Sequence, residues 1–303
     1  MKGQHSLQVQ SVIYNNEVST LEQALDNLAN AIEVDRNTDQ ALADVTVCYG
    51  DASGEPVFSN EKISEIKKKY ERWFAFSYTF FQENTGTAKG HNRMGRTCHS
   101  RYMLIMNPDV VVNPHFFGQM LEPFERDAAT GMTEARQTPV EHHKQYDPKM
   151  GETSWATTAA AIFPTALFRQ LHGFDADTFF MYCDDVDFSW RIRMCGYKVI
   201  YVPQAVVFHA KHLGRDANWI PTNAEMYYSV EAALLMAYKW SDFKRAKRLL
   251  HLYKNSKHEF LQKAAQAYIQ RQREGRMPEP IDPQHKVADF VDGGYGESRF
   301  RVN

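Results

Sequence analysis

The chain has 303 residues, of which 43% are hydrophobic and 24% charged, and its formal net charge is −2. This length allows one large α/β domain with an appendage, and the composition is ordinary for a folded protein. The near-neutral charge gives no sign of a nucleic-acid-binding surface, so no nucleic acid is expected as a partner. The four cysteines form no C-x-x-C pair, which argues against a zinc site or a disulfide framework and favours a reducing compartment.

The amino-terminal residues lack the long apolar core of a signal peptide. No stretch approaches the ~20 consecutive apolar residues that a helix needs to span a bilayer. We therefore expect a cytoplasmic protein that is soluble or lies peripherally at the inner face of the cell membrane.

Strand-like and helix-like patterns alternate along the first third of the chain. Strands are predicted over residues 7–14, 42–48, 73–81 and 102–106, and helices over 19–32, 63–72 and from the loop 84–92 onward. This order predicts an α/β fold with a mostly parallel sheet flanked by helices. In such sheets, ligands bind beyond the carboxyl ends of the strands, where the loops of this chain carry their polar residues.

The following elements are less regular and lead into a helical region. The pattern predicts a helix over 114–126, a strand over 132–138, a mobile polar loop over 141–153, a strand over 155–163, a helix over 164–171 and strands over 197–202 and 205–209. Three parts are therefore expected: a catalytic domain over residues 1–217, a helical extension over 218–273 and a loosely ordered tail over 274–303, which is rich in proline and glycine.

Three carboxylates fall within four positions at Asp184, Asp185 and Asp187, after an aromatic run and at the start of a predicted helix. Like charges at this range raise each other's pKa unless a metal, a bound hydroxyl or a helix N-terminus stabilises them. Asp187 and Arg191 are four residues apart and can pair on the helix. We assign Asp187 to structure and Asp185 to chemistry and leave Asp184 open; the alternative is that all three only cap the helix.

A second group of polar residues follows two apolar strands. Asn107-Pro108-Asp109 comes after the strand over 102–106, and His209 ends a later strand, with Lys211 close behind it. Asp109 and His209 suit a divalent cation bound to a diphosphate, and Lys211 suits a phosphate. The alternatives are a plain turn at Asp109 and a hydrogen-bonded structural histidine.

Several common catalytic motifs are absent from the sequence. There is no G-x-G-x-x-G, no G-x-x-x-x-G-K-[ST] and no G-x-S-x-G, so the sequence supports neither a dinucleotide-binding fold, nor a phosphate-loop ATPase, nor a serine hydrolase.

A series of short motifs follows in a fixed order along the chain. It runs V-I-Y-N-N, N-T-G-T-A-K-G-H-N, M-N-P-D-V, G-F-D, F-M-Y-C-D-D-V-D-F-S-W-R, C-G-Y-K-V and V-F-H. With this series the chain resembles the inverting family-two glycosyltransferases of the GT-A fold, and among them the rhamnosyltransferase-like members that build bacterial surface polysaccharides such as lipopolysaccharide and capsule. The resemblance covers about residues 7–240 and depends on the order of the motifs.

The resemblance implies a role for each matching residue. Asp185 matches the second acid of the acidic pair, which is the family's catalytic base. Asp109 matches the last acid of the metal-binding D-x-D element and His209 the late histidine near the metal and the diphosphate, with Mg²⁺ or Mn²⁺ as the cofactor. The nucleotide-sugar donor would be held by Tyr14, Asn15, Asp51, Gly86, Asn92, Asn107, Asp184 and Lys211.

Three positions depart from the family pattern, and one of them is Asp184, which occupies a place often held by glutamate. Asn107 replaces the first acid of D-x-D, which bears on metal dependence. Gly50-Asp51 stands where family members often have Asp-Asn for the base and ribose, so Asp51 would take that role with shifted geometry.

Residues 236–263 are rich in lysine and arginine. They are compatible with a surface resting on anionic lipid close to a lipid-linked acceptor, with an ordinary amphipathic helix packed on the catalytic domain, or with a contact in a homodimer.

The sequence thus predicts a metal-dependent, inverting glycosyltransferase with dTDP-rhamnose or a UDP-hexose as donor and a hydroxyl of a glycan or lipid-linked glycan as acceptor. Asp185 would activate that hydroxyl as general base. The alternatives are a sugar nucleotidyltransferase, which the lack of a glycine-rich amino-terminal phosphate loop disfavours, and a non-catalytic glycan- or nucleotide-binding protein.

Overall fold

The computed structural model describes residues 4–209, 220–291 and 293–300. Its first part alternates strands and helices as predicted: β1 (His5–Ile13), α1 (Val18–Asn37), β2 (Leu42–Asp51), α2 (Asn60–Tyr70), β3 (Ala75–Phe80), α3 (Gly86–Gly95) and β4 (Tyr102–Met106). The spacing of apolar residues in α1 places Leu21, Leu28 and Ile32 on one buried face. That face anchors α1 to the sheet.

The second part contains the remaining strands: β5 (Val110–Val112), α4 (Phe116–Arg126), β6 (Thr130–Thr138), β7 (Glu152–Thr153), β8 (Ala160–Pro164), α5 (Thr165–Gln170), α6 (Asp184–Met194) and β9 (Lys198–His209). The two strands predicted over 197–202 and 205–209 are one strand, whose register against β6 shifts between the partners Val202 and Val206. Pro203 lies inside this irregularity, because proline has no N–H to donate to a ladder. The strand predicted over 155–163 is confined to β8.

The described strands form one mixed sheet in the order β3-β2-β1-β4-β8-β6-β9-β5, with β7 beside β9. β1 to β4 pair in parallel, as expected, and so do β6 and β9. β8 runs antiparallel to both β4 and β6, and β5 and β7 run antiparallel to β9. The prediction of an α/β fold with flanking helices is confirmed, but the sheet is mostly parallel only in its first half.

Both faces of the sheet are covered. Alternate residues of β4 belong to different clusters, since Leu104 packs with α1 and α4 on one face whereas Met103 and Ile105 pack with α5 and α6 on the other. A strand buried on both faces reads as a continuous apolar run, which is how residues 102–106 appear in the sequence.

The helical extension consists of α7 (Asn223–Lys239), α8 (Phe243–Lys254) and α9 (Glu259–Arg273). Thr222 and Glu225 form a capping box at the start of α7, and Asp242 caps α8. The extension joins the sheet domain through Trp240, whose ring meets Trp190 of α6 edge-on at 5.1 Å. None of the described helices is long and apolar enough to cross a bilayer.

The tail differs from the loosely ordered segment expected from its prolines and glycines. Residues 274–291 and 293–300 contain only isolated bridges, yet they pack on the domain. The ring of Phe290 lies 5.1 Å from that of Trp190, and the Asp282 carboxylate accepts three backbone N–H groups at 2.9 Å. Aromatic burial and this carboxylate anchor the tail without regular secondary structure.

Candidate active site

The predicted donor-binding residues of the first strands lie at one edge of the sheet. β1, β2 and β4 are parallel neighbours, and Ile13 at the end of β1 is paired with Asp51 at the end of β2. Tyr14 and Asn15 follow β1, and Asn107 follows β4. The carboxyl ends of parallel strands therefore bring these side chains to the same edge, as the fold requires.

Asp51 shapes the loop that follows β2. Its Oδ1 accepts the N–H of Ser53 at 2.9 Å, and its Oδ2 accepts the N–H of Val57 at 2.8 Å and the hydroxyl of Tyr78. This fully buried carboxylate is already engaged by the protein, so its observed work is to hold the loop rather than to present a free oxygen. Asn15 joins the same loop, because its N–H donates to Ser53 Oγ at 2.8 Å.

Tyr14 differs from these residues, since it is 52% exposed. Its backbone N–H donates to Asn16 Oδ1 at 2.9 Å. An exposed aromatic ring at this edge can stack on a nucleobase.

The structure brings Asn107, Asp109 and His209 together. β5 pairs antiparallel with β9 so that Val110 lies opposite His209, and this places Asp109 Oδ1 3.4 Å from His209 Nε2. Asn107 Nδ2 lies 3.2 Å from the same imidazole nitrogen. Gln137 of β6 contacts the other ring nitrogen, with 3.1 Å between Gln137 Oε1 and His209 Nδ1.

These residues fit a divalent cation. When Gln137 accepts the Nδ1 proton, the lone pair of His209 Nε2 faces Asn107 and Asp109, and a cation bound there would replace the contact with the Asn107 amide. A carboxylate oxygen and an imidazole nitrogen are ligands that Mn²⁺ and Mg²⁺ accept. Over residues 4–209, 220–291 and 293–300 no group of three or more histidine, cysteine, aspartate or glutamate side chains forms a complete cation cage. Among the described residues, Asp109 and His209 would thus be the two ligands at this position.

The acid pair lies at the start of α6 and is held by α3. Thr87, at the first turn of α3, donates its hydroxyl to Asp184 Oδ2 at 3.0 Å, and its N–H donates to the carbonyl of Phe180 at 3.1 Å. Gly86 allows this approach, because it has φ +63° and a Cβ there would collide with the carbonyl of Phe180. Gly86 therefore docks α3 against the turn that precedes the acids.

The two acids differ in what they touch. Asp184 is buried, and burial raises its pKa although the Thr87 hydroxyl opposes this shift. Burial, followed by repulsion from Asp184, raises the pKa of Asp185, while the charge of Lys144 lowers it. Asp185 remains partly exposed and accepts the N–H of Val186 at 2.8 Å. A reachable carboxylate with a raised pKa is suited to act as a general base.

The turn before α6 has an unusual backbone. Tyr182 and Cys183 both lie in the left-handed region, with φ of 67° and 57°. For residues other than glycine each such conformation costs about 1–3 kcal/mol and is held by surrounding contacts. Tyr182 donates its hydroxyl to Glu225 of α7 at 3.2 Å, which is one of those contacts.

A buried ion pair beside the acids was not predicted from the sequence. Lys144 and Glu134 are almost fully buried and bond to each other, and Lys144 Nζ lies 4.0 Å from the centre of the Trp155 ring. The positive charge of Lys144 lowers the pKa of Asp185. In the sequence, Glu134 and Arg136 are the charged residues of the strand predicted over 132–138, and no local pattern links Glu134 to Lys144.

Two other predicted residues have structural partners. Asp187 is fully buried and holds Arg191 Nε at 2.8 Å and Lys239 Nζ at 2.6 Å, in keeping with its assignment to structure.

Asn92 uses both ends of its amide on Phe174, donating to its carbonyl at 2.7 Å and accepting its N–H at 2.8 Å. It borders a cavity of about 810 Å³ whose lining includes neither Asp185 nor Asp109. The expected contact of Asn92 with the donor therefore finds no support in the geometry. Lys211 lies outside the described residues.

Comparison with known proteins agrees with this architecture. No protein-family model matches the chain. Over 81 residues it is 32% identical to the N-acetylglucosaminyl-diphospho-decaprenol L-rhamnosyltransferase of Mycobacterium tuberculosis, in two strains. The match spans 26% of this chain and about a quarter of the relative's length, 26%.

Solved glycosyltransferase structures share the fold over most of the chain. GalNAc-T7 with UDP, GalNAc and Mn²⁺ is 12% identical with a TM-score of 0.63, over 94% of this chain and 57% of that one. The mannosyltransferase PcManGT from Pyrobaculum calidifontis, in complex with GDP-Man and Mn²⁺, is 15% identical with a TM-score of 0.57, over 90% and 82%. S. aureus TarS 1-349 is 13% identical with a TM-score of 0.52, over 85% and 68%. The chain thus has the GT-A glycosyltransferase fold and resembles a rhamnosyltransferase in part of its sequence.

Proposed function

We propose that the protein is an inverting glycosyltransferase that moves a sugar from a nucleoside-diphosphate sugar to a hydroxyl of a glycan or lipid-linked glycan. The observation that carries this proposal is Asp185. It is the one acid of its cluster that is both partly exposed and raised in pKa.

The chemistry follows from the positions of these side chains. Asp185 accepts the proton of the acceptor hydroxyl as that oxygen attacks the anomeric carbon, a contribution of ~10²–10⁴-fold. Asp184 keeps Asp185 basic by repulsion, and Thr87 holds Asp184 in place. One displacement at the anomeric carbon inverts its configuration and needs no covalent intermediate.

Asp109 and His209 would hold a divalent cation, with Gln137 orienting the imidazole. Such a cation, when bound, neutralises charge on a diphosphate leaving group. Tyr14 lies at the position where an exposed ring can stack on the base of the donor.

The partial similarity to a rhamnosyltransferase favours a deoxythymidine-diphosphate rhamnose donor over a UDP-hexose. The substrate in the name of that relative, a diphospho-decaprenol-linked sugar, favours an acceptor of the lipid-linked class.

The proposal is tested by incubating the protein with dTDP-rhamnose, UDP-glucose or UDP-galactose, a decaprenyl- or undecaprenyl-diphosphate N-acetylglucosamine acceptor, and Mn²⁺ or Mg²⁺. We expect release of the nucleoside diphosphate that depends on the acceptor, and a product whose anomeric configuration, read by NMR coupling constants, is opposite to that of the donor. Retention of configuration would contradict the inverting mechanism. Release of pyrophosphate from a sugar phosphate and a nucleoside triphosphate would instead indicate a nucleotidyltransferase, and binding without turnover a non-catalytic protein.

A second part of the proposal is a contact between α8 and an anionic membrane surface. Lys244, Lys247 and Arg248 are exposed on α8, as is Lys254, its last residue, and residues 243–254 include no acid. Phe243 and Leu252 are 51% and 58% exposed beside them. Arg245, Ala246 and Tyr253 are buried on the opposite face, where α8 packs on the protein. Cations with apolar side chains at their rim match anionic head groups, at about 1 kcal/mol per basic residue.

Sedimentation with vesicles tests this contact. We expect binding to phosphatidylcholine vesicles only when phosphatidylglycerol is added, and loss of binding on reversing Lys244, Lys247 and Arg248 to glutamate. Reversal of the exposed Lys67 and Lys68 in α2 is the matched control and should leave binding unchanged. If the α8 reversals leave vesicle binding intact but dissociate a dimer, α8 is a contact between copies and the membrane proposal is wrong.

A further inference from the structure

The last described residues of the chain, 295–300, reach the acid pair from one side. Tyr295 Oη lies 3.0 Å from the Sγ of Cys183, the left-handed residue directly before Asp184. The Tyr295 ring meets Trp155 edge-on at 6.3 Å and Trp190 at 6.1 Å, and its carbonyl accepts the Ser154 hydroxyl at 2.9 Å. The two indole rings and Ser154 thus hold Tyr295 in the position that brings its hydroxyl to Cys183.

The same segment holds the loop that carries Lys144. Gln145 N–H donates to the carbonyl of Glu297 at 2.7 Å, and Arg299 N–H donates to the carbonyl of His143 at 2.9 Å. These two hydrogen bonds flank Lys144, which is bridged to Ser298 in antiparallel fashion.

Arg299 completes this attachment with its side chain. Its guanidinium bonds to Glu141 at 2.6 Å and lies over the rings of Tyr146 and Tyr201, at 5.1 and 5.3 Å. Five residues, 295–299, therefore contact the turn before α6 at one end and the loop over 141–146 at the other.

We propose that residues 295–299 form a positioning element for Asp185, with Tyr295 and Arg299 as its two anchors. The inference rests on the proposed role of Asp185 as base. Tyr295 maintains the strained turn at Cys183 that directs the first carboxylates of α6, and Arg299 keeps Lys144 beside them. A left-handed turn persists only where its surroundings hold it. A displaced base loses rate although the donor still binds, since ~1 Å of misplacement can cost 10²-fold.

The test compares Tyr295→Phe and Arg299→Ala with wild type in steady-state transfer. We expect kcat to fall about 10-fold or more in each, with the KM for the donor changed less than about 3-fold. Arg299→Lys, which keeps a positive charge beside Glu141, should recover part of the lost kcat. Tyr70→Phe, which removes a hydroxyl bonded to Asp26 at 2.7 Å in another part of the fold, should behave as wild type.

A measurement independent of activity uses the cysteines. Cys183 and Cys98 are buried, whereas Cys195 is exposed. Removal of residues 293–303 should make Cys183 react with iodoacetamide at a rate approaching that of Cys195, read by peptide mass spectrometry, while Cys98 stays protected. Reaction of Cys98 as well would show that the truncated chain is unfolded. The kinetics of Tyr295→Phe and Arg299→Ala then decide whether the positioning element exists.

The two proposals fail in different ways. Wild-type kcat in both Tyr295→Phe and Arg299→Ala, with an inactive Asp185→Asn, would overturn the positioning element alone. Full activity of Asp185→Asn would overturn the proposed base, whatever Cys183 does. Continued protection of Cys183 in a folded truncated chain would also contradict the positioning element.

Discussion

At the scale of single residues, the three acids of α6 are separated by their partners. Asp187 has two cations and the indole N–H of Trp240 at 3.1 Å, and Asp184 has the Thr87 hydroxyl. Asp185 has the N–H of Val186 and remains partly exposed. The proposal of Asp185 as general base rests on this exposure, because a carboxylate must be reachable to take the proton of an acceptor hydroxyl.

Burial, the charge of Asp184 and the opposing charge of Lys144 together set the pH range over which Asp185 is ionised. Because the pKa of Asp185 is raised by burial and by Asp184, transfer should be lost as the pH falls through a value above the ~3.9 of an ordinary aspartate. Lys144→Met removes the cation that lowers this pKa, so the acid limb of the kcat/KM profile should move to higher pH. Glu134 loses its Lys144 partner in this variant. Because the charge of Glu134 raises the pKa of Asp185, it would move the acid limb in the same direction or leave it unchanged.

The matched control is Lys198→Met, which removes a lysine from the exposed pair with Asp127 and should leave the profile in place. An acid limb that is unchanged or moves to lower pH in Lys144→Met would contradict the assignment of that limb to Asp185.

Asp109 and His209 make a second prediction at this scale. With Mn²⁺ and a nucleoside diphosphate present, wild type should gain apparent stability, about 2.7 kcal/mol at 100 times the dissociation constant. Asp109→Ala and His209→Ala should lose the part of the thermal shift that requires Mn²⁺. His115→Ala removes a histidine that also lies beside an aspartate, 3.2 Å from Asp39, and should keep the full shift. A full Mn²⁺-dependent shift in His209→Ala would place the cation elsewhere.

At the scale of elements, the acids are positioned by the docking of α3 on the turn before α6. That docking requires Gly86, because any Cβ there meets Phe180 and its φ of +63° suits glycine. Gly86→Ala should lower the free energy of unfolding by more than about 1 kcal/mol and also reduce transfer. Urea unfolding measures the first effect, and Gly54→Ala, with open space around its Cβ, should change stability by less than about 0.5 kcal/mol. Equal stability of the two variants would contradict the docking.

The sequence predicts the elements well where one periodicity dominates. The strand over 102–106 and α4 are recognisable since apolar runs and helical spacing are local signals. The antiparallel placement of β8 between β4 and β6 is not, because strand order depends on long-range pairing that no local pattern records.

The residues of the site, too, are predictable only where the signal is local in the sequence. The pairing of Asp187 with Arg191 follows from their spacing, and the closeness of Asp109 to His209 follows from their positions at strand ends. The partners of Asn92 and Asp51 could not be predicted, because each depends on backbone groups brought in by folding: Phe174 for Asn92, and Ser53 and Val57 for Asp51. Lys144 was missed because a lysine in a polar loop is usually solvated.

At the scale of the whole molecule, Asp187 couples the sheet domain to the helical extension. Lys239, at the end of α7, pairs with Asp187 and with Asp175, both at 2.6 Å, and Trp240 donates to Asp187. Asp187→Asn leaves buried cations short of a partner and should cost about 3 kcal/mol of unfolding free energy in urea. Asp127→Asn breaks an exposed pair and should cost less than about 1 kcal/mol. A cost for Asp187→Asn as small as that of the control would mean that the extension is held by apolar packing alone.

The tail shows why composition misleads at this scale. Prolines and glycines between residues 274 and 296 predict looseness, yet Phe290 and Tyr295 bury their rings against Trp190. A few aromatic contacts anchor this segment although it has no regular structure. As a result, the segment lies against the turn that precedes the acids of α6.

The most direct test of the account is the rate of sugar transfer by Asp185→Asn. The variant should bind the donor with an affinity near that of wild type, measured by calorimetry, and transfer sugar ~10²–10⁴-fold more slowly. Asp44→Asn, an exposed aspartate near the start of β2, should match wild type in both measurements. Transfer by Asp185→Asn at the wild-type rate would contradict the central claim that Asp185 is the general base.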